Sequence, residues 1–272
     1  MPELFDVFLL LLAGAFGGFL SGVLGVGGGI IFIPIIDLVL KQYGIETETV
    51  KFILANSLTV IIFTGTFNSW RQYKAANFFP KYILYTAIPG VVTVLIGSWI
   101  VSTGDWYRKD IFNIVFTLLL VPAVIRMLMS RKEPDNLRTE IPLQKFGIVG
   151  AVTGIFTAFS GLGGGLIMIP AFVNILKLEM KKAVSVSAGV VPFFAFPTAL
   201  YYMFQEPLQQ DLAVSNFGFI LYPIVLPMII GTLLTVPLGV KTGHKLNPWT
   251  SKLIFSFFVV LVLIKLMLET FL

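Results

Sequence analysis

The chain has 272 residues, 57 % of them apolar and only 12 % charged, and its mean hydropathy is strongly positive. A soluble domain carries about 25 % charged residues, so this composition excludes one and predicts a polytopic membrane protein. The net charge of +5 does not point to nucleic acid, because the basic residues sit in short loops, where they set orientation in a bilayer.

Cysteine is absent, which removes disulfides, thiolate nucleophiles and cysteine metal sites. A single histidine, His244, leaves little room for a histidine-ligated metal or a proton relay. The chain begins Met1-Pro2-Glu3-Leu4-Phe5-Asp6, with neither a basic n-region nor a small-residue cleavage site, so no cleaved signal peptide is expected.

Apolar segments follow at 5–24, 29–40, 52–69, 82–101 and 111–129, then at 146–160, 165–176, 184–203, 216–239 and 252–270. Several reach the roughly 20 residues that a spanning helix needs. Segments 29–40 and 165–176 do not, and each follows a glycine run. The first run is Gly25-Val26-Gly27-Gly28-Gly29, leading through Ile30 to Pro34. The second is Gly161-Leu162-Gly163-Gly164-Gly165, leading through Leu166 to Pro170, 136 residues later and half the chain away. Between Gly18–Pro34 and Gly154–Pro170, 8 of 17 positions are identical, where composition alone gives about one. The chain therefore reads as two copies of one unit: repeat 1 over 1–130, a polar linker over 131–145 and repeat 2 over 146–272.

A glycine run interrupts a continuous helix, so 5–40 and 146–176 are predicted as helix–break–short-helix hairpins. If each hairpin returns to its own side, the two halves have opposite orientation. If each run lies within one bent spanning helix, the halves run parallel. Lysine and arginine collect on the cytoplasmic side. The hairpin arrangement places 14 of the 19 there, against a split of 9 to 10 in the parallel one. The prediction is an all-α polytopic membrane protein of two inverted repeats, each a glycine-broken hairpin plus three transmembrane helices. The linker is then cytoplasmic, and both termini face outside the cell (inner) membrane.

Glycine breaks at membrane depth survive only where the backbone lines a cavity or is buried in protein. Short helices starting at Gly29 and Gly165 would aim free N–H groups and positive dipole ends at such a place. The predicted substrate-binding residues are therefore Gly27, Gly28, Gly29, Gly163, Gly164 and Gly165, with close helix packing as the open alternative. Ser21, Thr157, Ser160, Asn56, Ser57 and Ser187 supply nearby hydroxyls and an amide, with back-bonding to helix carbonyls as theirs. Asn56 stands out, since an amide in an apolar segment needs a partner. Phe32, Phe159, Phe193 and Phe194 are candidates for packing a small organic part. Asp37 and Lys41 read as an interfacial pair and His244 as a loop histidine on helix carbonyls. No catalytic residue, metal or cofactor is expected.

Three motifs carry a resemblance. The first is the doubled opening, Gly18-x-x-Ser21-Gly22-x-x-Gly25-x-Gly27-Gly28-Gly29 and Gly154-x-x-Thr157-x-x-x-Gly161-x-Gly163-Gly164-Gly165. The others are Ala55-Asn56-Ser57-Leu58 and Tyr73-Lys74-Ala75-Ala76-Asn77. Together they resemble the sulfite exporter TauE/SafE family of membrane transporters, over nearly the whole chain. Ala76 and Lys74 depart from the family's usual glycine and arginine. The resemblance implies a carrier of sulfite, sulfoacetate or other organosulfonates, mostly by export; alternating access would come from one repeat rocking against the other. An anion channel or a carrier of small carboxylates is the alternative. An intramembrane enzyme would need a carboxylate, histidine or metal cluster in the bilayer, which the segments do not offer. The expected partners are a small anion and the lipid bilayer, with a homodimer open and nucleic acid excluded.

Overall fold

The computed structural model describes residues 4–104, 106–129, 141–209 and 214–271, so the centre of the predicted linker, 131–140, and Asp211 lie outside the described residues. In repeat 1, α1 (Leu4–Leu24) leads through the first glycine run into α2 (Gly29–Gln42). Then come α3 (Thr49–Lys74), α4 (Pro80–Ser102) and α5 (Lys109–Met129). In repeat 2, α6 (Leu143–Ser160) leads through the second run into α7 (Gly165–Pro170) and one π-helical turn, Ala171–Ile175. There follow α8 (Met180–Met203), a small hairpin of β1 (Asn216–Phe217) and β2 (Ile220–Leu221), α9 (Tyr222–Gly243) and α10 (Pro248–Phe271). Among the described residues, six helices are long and apolar enough to cross a membrane: α1, α3, α4, α6, α8 and α9.

Two departures from the predicted segments stand out. The apolar stretch from 216 enters α9 only at Tyr222, because Gly218 turns the chain at a φ of +56° and Asn56 takes up the hairpin backbone. The short helix of repeat 2 gives way after Pro170 to a single π turn. Leu176 there reaches back five residues to the Ala171 carbonyl, at 3.0 Å. Pro34 stands at the same place in α2, which continues as regular helix to Gln42.

Lipid chains are as apolar as leucine, so membrane helices are held by close van der Waals contact rather than by expulsion from water. Glycines supply it here. Gly14, Gly18 and Gly22 of α1, each four residues apart, lie against the backbone at Met228, Thr232 and Val236 of α9. Gly150 and Gly154 of α6 lie likewise against Thr86 and Gly90 of α4. Both pairs therefore run parallel.

The central pair, α3 and α8, runs antiparallel. Asn77, just past the end of α3, bonds the Lys181 carbonyl at the start of α8. Asn56, near the start of α3, bonds the Phe219 carbonyl beyond the end of α8.

The two ends of the bundle differ in charge. Arg71, Lys74, Lys81, Lys145, Lys177, Lys181, Lys182, Lys241 and Lys245 lie at the end where α3 finishes and α8 begins, with Glu179. At the other end Asp6, Asp37, Glu46, Glu48, Asp110 and Glu206 accompany Lys41, Lys51, Arg108 and Lys109.

Candidate functional site

The two glycine runs fold into the same turn. Gly25, Gly27 and Gly28 have φ values of +71°, +80° and +85°; Gly161, Gly163 and Gly164 have +68°, +71° and +81°. These are left-handed conformations that side chains other than glycine's adopt only with strain. Gly25 N–H closes α1 on the Ser21 carbonyl at 2.7 Å, and Gly161 N–H closes α6 on the Thr157 carbonyl at 2.8 Å. The Gly28 carbonyl accepts from Ile31 at 3.0 Å and Phe32 at 3.2 Å; the Gly164 carbonyl accepts from Ile167 at 3.1 Å and Met168 at 3.0 Å. The amides of Gly29 and Ile30, and of Gly165 and Leu166, thus precede the first ladder bond of their helices. No side chain caps either helix start, and both are buried.

The turns lie against each other. A methyl group on Gly165 would stand 2.6 Å from Val26 Cα and 2.9 Å from the Gly25 carbonyl oxygen. One on Gly29 would stand 3.0 Å from Leu162 Cα. Gly27 and Gly163 both face Ile61 of α3 and Val191 of α8. Each central helix also braces the turn of the opposite run. Ser57 Oγ donates to the Gly161 carbonyl at 3.2 Å, and Ser187 Oγ donates to the Gly25 carbonyl at 2.9 Å.

The structure thus gathers Gly27, Gly28, Gly29, Gly163, Gly164, Gly165, Ser57 and Ser187 at one place. Ser21, Thr157 and Ser160 are within a turn of it. The hydroxyls of Thr157 and Ser160 bond back to Thr153 and Phe156 of their own helix, at 2.8 and 2.7 Å. Asn56 is directed elsewhere. Its Nδ2 donates to the Phe52 and Phe219 carbonyls at 2.7 and 2.9 Å, and its Oδ1 accepts from Leu221 N–H at 2.8 Å. The amide does have the partner it needs: the β1–β2 hairpin. Of the phenylalanines, Phe32 and Phe194 are buried against Gly28 and Gly164. Phe159 stacks edge-on to Tyr107, and Phe193 is on the outer surface, 46 % exposed.

Two side chains that the sequence reading passed over belong to this neighbourhood. Asn68 and Gln72 of α3 are buried, and Asn68 Nδ2 donates to the Ser21 carbonyl at 2.6 Å. Their signal is four-residue spacing: Thr64, Asn68 and Gln72 put polar groups on one face of an apolar helix. His244 differs from its expected role. Its Nε2 meets the Gln72 side-chain oxygen at 2.9 Å rather than a helix carbonyl. Burial, and then the Lys181 ammonium, hold its pKa below the usual histidine value. Asp37 is paired beyond its own helix: Lys109 Nζ lies 2.5 Å from it and Lys41 Nζ 3.7 Å.

A cavity of about 30 Å³ lies beside the first turn at the basic end, lined by Gly22, Gln72, Asn77, Lys181, Val184 and His244 among others. Two larger hollows, of about 540 and 390 Å³, are apolar grooves between α5, α6 and α7 and between α1, α2 and α10. A fourth, of about 460 Å³, lies by the β hairpin. None of these four is lined by a residue of either glycine turn.

A family model described as sulfite exporter TauE/SafE matches residues 10–266. A probable membrane transporter protein of Methanocaldococcus jannaschii is 27 % identical over 240 residues, 88 % of this chain and 87 % of its own. Another from Haemophilus influenzae is 27 % identical over 271 residues, 97 % of this chain and 98 % of its own. One from Bacillus subtilis is 24 % identical over 250 residues, 88 % and 89 % of the two chains.

Proposed function

Because the chain belongs to the sulfite exporter TauE/SafE family and is a multi-pass membrane transporter, we propose that its cargo is a small sulfur-containing oxyanion, exported from the cell. Sulfite, sulfoacetate and other organosulfonates fit the chemistry of the site. The observation that carries this reading is the pair of buried, uncapped helix starts at Gly29 and Gly165, brought face to face by left-handed glycine turns. Helix starts offer backbone N–H donors and partial positive charge without a buried cation. A sulfonate or sulfite presents three oxygens with spread charge, which suits several weak donors better than one strong one. Serine hydroxyls at 57 and 187 hold the turns in place.

We read 1–130 and 146–272 as inverted repeats on either side of a linker at 131–145. Three features support this. The turns match residue for residue, the equivalent helices α3 and α8 run antiparallel, and each repeat's first helix packs along the other repeat's fourth. Equivalent helices related by a two-fold axis along the membrane normal would run parallel instead. The basic end then faces the cytoplasm and both termini face outside the inner membrane. The turns are in contact, so loading requires them to part. Rocking of one repeat against the other, about the α3–α8 crossing, does this and gives alternating access.

The test is flux into proteoliposomes holding the purified full chain, with sulfite, sulfoacetate, methanesulfonate and acetate as solutes. Saturable, trans-stimulated movement of the sulfur anions supports the reading. Flux that neither saturates nor shows trans-stimulation makes the protein a channel. Acetate alone makes it a carboxylate carrier, and no movement of any anion by folded protein removes the proposal.

A further inference from the structure

The glycine site needs a route to water, and the two candidate routes are built differently. On the basic side the route follows α3. Thr64, Asn68 and Gln72 recur every fourth residue, so they line one face, and all three are buried. They run from Ile61, which faces both glycine turns, to the small cavity where Gln72 meets His244. Asn68 lies midway. Its Nδ2 donates to the Ser21 carbonyl, which also closes the end of α1 at Gly25, while its buried Oδ1 has no hydrogen-bond partner. An unpartnered buried acceptor costs about 1–3 kcal/mol, so a polar group stranded at 1 % exposure marks a place made for something else.

On the other side the route follows α8. Ser57 and Ile61 of α3 correspond to Ser187 and Val191 of α8, as their matching contacts with the two turns show. The same register pairs Thr64, Asn68 and Gln72 with Phe194, Thr198 and Tyr202. Phe194 and Tyr202 are fully buried, and Thr198 bonds back to the Phe194 carbonyl at 2.9 Å as Thr64 does to the Val60 carbonyl. The Tyr202 hydroxyl, like Asn68 Oδ1, is buried without a hydrogen-bond partner, so what differs between the two sides is the lining. Tyr202 packs edge-on against Phe219 at 6.2 Å, and Phe219 against Phe52 at 4.9 Å. One exit is therefore an amide-lined track, and the other is an aromatic plug.

Resting on the reading above, we propose that the Thr64–Asn68–Gln72 face of α3 is the path by which the anion passes between the glycine turns and the basic end. The Gln72–His244 contact is its gate. An amide suits this role because it presents either a donor or an acceptor end by rotating about one bond. Asn68 turns its NH₂ to the anion when the anion arrives and returns to the Ser21 carbonyl when it leaves. Lys181, which lines the cavity beyond Gln72, draws the anion to the mouth.

The chain has no native cysteine, so single cysteines can be placed without a background. N68C and Q72C are compared with their α8 counterparts, T198C and Y202C, in full-length protein reconstituted in sided vesicles. The probe is a membrane-impermeant, sulfonate-bearing methanethiosulfonate, applied from the basic face with and without methanesulfonate. We expect N68C and Q72C to react at least about tenfold faster than T198C and Y202C, as a wetted site does relative to one reached only by local opening. Methanesulfonate slows N68C. Equal rates at N68C and T198C overturn the proposal. If N68C does not fold, S21C against T157C makes the same comparison across the track. The outcome is separable from that of the flux assay. Labelling of N68C in a protein that moves none of the test anions keeps the path and removes the cargo. Sulfite flux with N68C inert does the reverse.

Discussion

A graded set of glycine-to-alanine changes tests whether the two turns are pressed together. Gly44 has a φ of +67° with nothing within 4 Å of an added methyl group, so G44A carries backbone strain alone. That strain is about 1–2 kcal/mol. Gly165 is in right-handed helix, so G165A carries contact alone. Its methyl group would stand 2.6 Å from Val26 Cα, 2.9 Å from the Gly25 oxygen and 3.1 Å from Ser187 Oγ. Two of these are backbone atoms that cannot swing away, and overpacking of this kind costs about 1–3 kcal/mol. Gly28 combines both, with a φ of +85°, Phe32 Cζ at 2.6 Å and the Gly17 oxygen at 2.9 Å. G28A should therefore cost about 2–5 kcal/mol, close to the sum of the other two effects. Thermal unfolding in detergent, followed by tryptophan fluorescence, gives the order G44A, G165A, G28A. Transport should survive G44A and fail in G165A, whose methyl group forces the turns apart. A G165A protein as stable and as active as wild type refutes the packing on which the site depends.

The other predictions concern the supports of the site. K109M removes the close partner of the buried Asp37 carboxylate and should destabilise by about 1–3 kcal/mol, whereas K41M, 3.7 Å away and 53 % exposed, should cost at most about 0.5; parallel melts of the two variants check the ratio. N56A leaves the Phe219 carbonyl and the Leu221 amide without their buried partner and should cost about 2–3 kcal/mol. Faster proteolysis near the β1–β2 hairpin would accompany it, and a wild-type melt would contradict the anchoring role. His244 has a lowered pKa, so between that value and 6.5 the unfolded chain binds the extra proton. Stability supplied by the neutral ring is full above pH 6.5 and is lost as pH falls through the folded value. H244Q should flatten that part of a stability profile taken from about pH 8 to about pH 5.

The helices were legible because membrane helices announce themselves by apolar length, and the turns because three consecutive glycines occurred twice at the same spacing. What was hidden depends on partners distant in sequence. Asn56 read as a ligand because the carbonyl that satisfies it lies 163 residues away, on a hairpin inside a stretch as apolar as a helix. The Asp37–Lys41 spacing was visible within one helix; Lys109, 72 residues on, was not. His244 and Gln72 are 172 residues apart, and only the antiparallel α3–α8 crossing explains why a residue at the end of α3 reaches the end of α9. The polar face of Thr64, Asn68 and Gln72 was present in the spacing, but polar residues scattered along a membrane helix, as Asn56, Ser57, Thr59 and Thr66 also are in α3, fit helix glue as well. Burial of all three along one line is what distinguishes them.

In the proposed site the anion is held by backbone amides at the two helix starts. Solid-state NMR of ¹⁵N-glycine-labelled protein in bilayers reads those amides directly. Adding sulfite should move the Gly29 and Gly165 resonances together and saturably, leave Gly44 in place, and do neither when only the cation of the salt is varied. Saturable sulfite transport with both resonances unmoved would contradict it.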